Sequence, residues 1–234
     1  MNRISIVITL AYLPIAVVSA EAATITATFD TVLFNNTVTR TIADGPTYGL
    51  PGGATTVTAS LFHFNTSDGG FYAYCIEPQQ SAGNGTFTID YTFSLVPGNI
   101  HPTTTLTPAK IASLKLLLGQ VANPFSPTLD QYQQAAMQVG IWEIVRETAA
   151  TYNVSSGNVI FSAASNASIL TIAQGFLNNV NNNIGTPNNG IMGLYNSTVQ
   201  DVVTNTPEPA TMMLFGLGLC WIGLRGRSTG AGRE

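Results

Sequence analysis

The sequence predicts an α+β fold: an antiparallel, β-rich sandwich or barrel with an inserted helical segment, flanked by a signal peptide and a short C-terminal transmembrane helix. Three observations predict it. Up to about residue 96 the chain runs in short, β-branched, alternating stretches divided by Gly, Asn and Pro. From Thr107 to about Val180 helix caps and longer apolar-periodic stretches take over. Ile191 to Val203 then returns to strand-like sequence, and strands followed by helices and a closing strand are the order of an α+β domain.

Taken in order, Ala23 to Asp30 alternates as a half-buried strand does, and Val32 to Ile42 reads as a second strand broken near Asn35-Asn36. Asp44-Gly45-Pro46 and Pro51-Gly52-Gly53 punctuate a loop. Thr55 to Phe64 alternates again, and Asn65 to Gly70 is a turn into a strand from Phe71 to Glu77. The pair predicts a hairpin with Cys75 near the end of its second arm. Both faces of that arm are apolar, so it should be covered on both sides. Thr86 to Val96 is a further strand. Thr107 and Pro108 then open a short helix that ends at Gly119. The strongest helix is Leu129 to about Thr148, opened by Thr128 with Asp130 in its first turn. Asn153 to Asn158 breaks it, and Ser165 or Asn166 starts a third helix that runs to about Val180.

The two ends read as targeting segments around one domain: residues 1–22, 23–205 and 206–234. Arg3, the apolar run Ile4 to Val18 and the small-residue sites near Ala20 and Ala22 have the make-up of a secretory signal peptide. At the other end Pro207-Glu208-Pro209 precedes an apolar run to Leu224, followed by Arg225 and Arg227. About 15 apolar residues rise roughly 22 Å as a helix, short of the ~30 Å hydrocarbon core, so the arginines would have to snorkel. This pattern resembles the PEP-CTERM sorting tail of exported Gram-negative bacterial proteins. The resemblance implies recognition at Pro207-Glu208-Pro209 by an exosortase-type membrane protease. It also implies transient anchoring in the inner membrane, then release to the cell surface or the extracellular matrix.

Between the ends four basic residues (Arg40, Lys110, Lys115, Arg146) face nine acidic ones, a net charge of −5. Nucleic acid is excluded as a partner, because no basic patch exists to replace counterions. No glycine-rich phosphate loop and no metal-ligand spacing occurs, so no cofactor is expected.

The chain has two cysteines, and Cys220 lies in the C-terminal apolar run, which leaves Cys75 alone in an exported domain. A buried free thiol is the plain reading of Cys75. On the helix from Leu129, Gln138 is flanked one turn away by Gln134, Ala135, Ile141 and Trp142, which places its amide inward. Hydrogen bonds alone can satisfy such an amide, and Trp142 can be plain core. The segments Tyr74-Cys75-Ile76-Glu77 and Met137-Gln138-Val139-Gly140-Ile141-Trp142, however, resemble the paired motifs of the thioester domains of bacterial surface adhesins. That resemblance implies an internal thioester between Cys75 and Gln138, with Tyr74, Glu77 and Trp142 around it. It further implies covalent adhesion to an amine-bearing surface or matrix target rather than enzymatic turnover. Glu77 and Glu143 read as solvated surface acids, with proton handling as the alternative.

Two other function classes compete. One is a cysteine hydrolase with His63 or His101 as base, for which no signature surrounds Cys75. The other is a passive matrix or structural surface protein that binds polysaccharide or protein without a covalent bond.

Overall fold

The computed structural model describes residues 23–43, 54–77, 82–93 and 106–206. Nine strands and three helices occur among them: β1 (Thr24–Val32), β2 (Thr37–Ile42), β3 (Thr55–Thr58), β4 (Phe62–Thr66), β5 (Gly69–Cys75), β6 (Gly85–Asp90), α1 (Pro108–Leu118), α2 (Gln131–Arg146), β7 (Val159–Ala164), α3 (Ala167–Asn181), β8 (Ile191–Tyr195) and β9 (Val202–Asn205). Six strands close into an antiparallel barrel in the order β1-β4-β5-β9-β8-β6, and the other three form a small sheet, β3-β2-β7. The expected β-rich α+β architecture is therefore a barrel, with the helices and a second sheet beside it.

Aromatic side chains on alternate positions fill the barrel. Phe64 stacks on Phe71 across the β4–β5 pair at 5.3 Å, and Phe29 and Phe87 meet Phe64 edge-on. This is the period-2 pattern of the sequence expressed as one inward face.

Helix α2 is the hub on which the other elements rest, packing against α1, α3, β5 and β7. Every residue from Gln134 to Arg146 is buried, so it is covered all round rather than along one stripe. Asp130 is its N-cap, accepting hydrogen bonds from the Tyr132 and Gln133 N–H groups, which corrects the expected start at Thr128–Leu129. Gly140 permits the closest approach of α1: an added Cβ there would sit 3.0 Å from both Leu117 methyls.

Several boundaries differ from expectation. The stretch Thr55 to Phe64 is two strands in two different sheets. At the crossing, Ala59 N–H donates to Asn36 O, Leu33 N–H to Leu61 O and Phe34 N–H to Ser60 Oγ, so each backbone group finds a new partner as the chain changes layers. Ile191 to Val203 is also two strands, a β8–β9 hairpin whose connection is held by Asn196 N–H to Asp201 Oδ1. Strand β7 had no counterpart in the sequence reading. The signal peptide, His101, the Pro207-Glu208-Pro209 motif and the C-terminal apolar run with Arg225 and Arg227 lie outside the described residues. No helix among the described residues is long and apolar enough to cross a membrane.

Candidate functional site around Cys75 and Gln138

Cys75 closes β5, where it pairs with Val202 of β9. The other neighbour, β4, ends opposite Ala73, where Phe62 is its last residue in the ladder. Successive residues of a strand aim their backbone groups to opposite sides, and Ile76 N–H goes to Asp201 O on the β9 side. The N–H and C=O of Cys75 therefore face the gap that β4 has left. Gln138 fills it. Its Oε1 accepts from Cys75 N–H at 2.9 Å and its Nε2 donates to Cys75 O at 2.7 Å. Both residues are fully buried. Two residues 63 positions apart in sequence are thus brought together, with the Gln138 carboxamide locked in one orientation against the backbone of the cysteine.

The surroundings are buried and poorly suited to charge. Burial, and then the negative charge of Glu77, push the Cys75 thiol well above its usual range. Tyr74 is fully buried, its ring 5.7 Å from that of Phe125 and its hydroxyl donating to Pro124 O at 2.9 Å. Burial raises that hydroxyl well above the ordinary phenol range. Trp142, one turn beyond Gln138, stacks on Phe161 of β7 with ring centroids 6.5 Å apart. Its Nε1 is buried with no hydrogen-bond partner, as is Gln134 Oε1 one turn before.

Glu77 and Glu143 are not solvated surface acids. Both are buried, at 6 % and 0 % exposure. The reason lies in the neighbours that fold over them. Gln200 Nε2 donates to Glu77 O, and Asp201 N–H donates to Glu77 Oε2 at 3.5 Å, just before β9 pairs with Cys75. Burial pushes the Glu77 carboxyl up to about 7, partly opposed by the Asp201 N–H. Glu143 points instead at the turn after α2. Its Oε1 accepts from Asn153 N–H, its Oε2 has no partner, and burial pushes it up to about 8.

His63 stands elsewhere. Its Nδ1 lies 2.8 Å from Asp30 Oδ2 and its ring packs on Tyr72, the residue opposite it across the β4–β5 pair. Tyr72 and Cys75 are three residues apart and so lie on opposite faces of β5. His63 and Cys75 therefore do not share a face.

Sequence reasoning missed Gln200, Asp201, Pro124 and Phe125. The only signal for the first two was a polar pair placed directly before the apolar Val202-Val203, a position at which a side chain enters the core with the strand.

The geometry is that of a barrel domain with a buried Cys–Gln pair. Comparison with known families places its sorting class: residues 205–228 match the PEP-CTERM protein-sorting motif. The protein is accordingly an exported, exosortase-sorted surface protein that passes through the membrane on its way out. Neither a curated protein nor a solved structure matches the chain.

Proposed function

We propose that the exported domain forms an internal thioester between Cys75 Sγ and the side-chain carbonyl carbon of Gln138, and uses it to attach covalently to an amine-bearing partner. The observation that carries this reading is the pair of reciprocal hydrogen bonds between the Gln138 carboxamide and the Cys75 backbone in the buried core. They hold the electrophilic carbon against the backbone of the residue that carries the only thiol among the described residues. In the condensation Sγ attacks that carbon, and the negative charge develops on Oε1, where Cys75 N–H already donates. The Cδ–Nε2 bond breaks and ammonia leaves. The thiol proton passes to the buried Glu77 carboxylate and from there to the departing nitrogen, so no proton is gained or lost. Attack by a partner's amine later breaks the S–C bond, returns the thiol, and leaves the partner joined through an amide to residue 138.

A second reading has its own support. The intact carboxamide satisfies both backbone groups of Cys75, and its Nε2–H is lost with ammonia if the thioester forms. In that reading Gln138 is a permanent substitute for the missing strand, and the protein attaches without a covalent bond. Intact-mass measurement of the mature protein separates the two. A thioester gives a mass one ammonia below the sequence value and a methylamine adduct at Gln138, both abolished by Cys75→Ala. Full sequence mass with a free thiol refutes it.

A further inference from the structure

A cavity of about 940 Å³ opens at the end of the barrel, away from the Cys75 end of β5. Its apolar lining includes Ile25, Phe71 and Leu194, and its polar lining includes Thr28, Asn65 and Asn205. The Phe71 ring is fixed by its stack on Phe64. Thr28 and Asn65 are register partners across β1 and β4, so they stand side by side. None of the three polar side chains is spent on a hydrogen bond among the described residues.

The lining selects among ligand classes. Among the described residues around the cavity the one charged side chain is the exposed Asp68, and there is no Lys, Arg or His, so nothing meets a carboxylate or phosphate. An acyl chain would strip water from the threonine and asparagine groups and return no hydrogen bond. A peptide strand cannot extend the barrel sheet, because the barrel is closed. A neutral sugar chain fits each constraint: its C–H faces pack on apolar side chains, and its hydroxyls both give and take hydrogen bonds from amide and hydroxyl groups. The volume lies within the range of small-molecule sites. We propose that this cavity binds a segment of neutral polysaccharide, independently of any bond between Cys75 and Gln138.

The test is calorimetric titration of the mature exported protein with neutral gluco-, galacto-, manno- and xylo-oligosaccharides. An anionic uronate oligomer and a fatty acid serve as competing probes. Saturable binding of at least one neutral series is expected. It should weaken about tenfold or more in the double variant Asn65→Ala/Asn205→Ala, as loss of hydrogen bonds worth about 1 kcal/mol each implies. Both positions are exposed, so circular dichroism should report an unchanged fold. Cys75→Ala should bind as the wild type does, which keeps the result separate from the thioester. Absence of saturable binding at millimolar sugar overturns the proposal. So does equal binding by the double variant, or preference for the uronate or the fatty acid.

Discussion

Cys75 turns its N–H and C=O toward a side of β5 from which β4 has already departed, and Gln138 meets both. The sulfur itself is held as a thiol by burial, so the proposed condensation requires a local proton acceptor. Glu77, two residues along and anchored by Asp201 N–H, is the buried acid whose charge reaches that thiol. As a base it must be ionised, so thioester formation after refolding should accelerate as pH rises through about 7. Glu77→Gln should slow it on the order of a hundredfold and flatten that pH profile. Following the loss of one ammonia by mass against time checks both; an unchanged rate removes Glu77 from the mechanism. The Cys–Gln pair was legible because each residue sat in a short motif and Gln138 lay on an apolar helical face. The burial of Glu77 was not, because it depends on Gln200 and Asp201, more than 120 positions away.

Among the elements, helices announced themselves through caps: Thr107 with Pro108, and Asn166 before α3, act as N-caps in the structure. Strand boundaries were harder. Thr55 to Phe64 keeps one alternating pattern through a change of sheet, because periodicity records which side faces inward and not which layer the strand joins. Strand β7 is six residues in a polar neighbourhood, and its pairing with β2 is more than 100 positions distant in sequence. The turn that delivers β7 depends on Glu147, which accepts from Thr148, Ala149 and Asn158 N–H groups. Gly157 has φ +109°, and a Cβ there would overlap Glu147 Oε2. Gly157→Ala should therefore lower unfolding free energy by about 3 kcal/mol, through backbone strain and loss of this carboxylate's contacts. Urea denaturation reads the change; a shift within error would show that the turn is not a fixed joint between α2 and β7.

For the whole molecule, two buried carboxyls make stability depend on pH. Glu77 and Glu143 bind protons more tightly when folded than the ordinary value of 4.5. Their contribution is complete below about pH 4.5 and is lost as pH rises through about 7 and about 8. The unfolding free energy from urea denaturation should fall across that window, by an amount on the order of a few kcal/mol that Glu143→Gln reduces, and the midpoint with it. A midpoint that rises from pH 5 to 8 would contradict this account. If the thioester forms, closing a loop of 63 positions adds roughly 4 kcal/mol at any pH in this range.

Strand β9 ends at Asn205, where the matched sorting segment begins, and it is laced to β5 on one side and β8 on the other. Any force applied to the chain after Asn205 therefore pulls on the strand next to Cys75. A tug along that strand loads two ladders simultaneously in shear, so the rungs must fail together instead of unzipping singly. Tension entering at Asn205 is therefore shared across the barrel wall before it reaches α2.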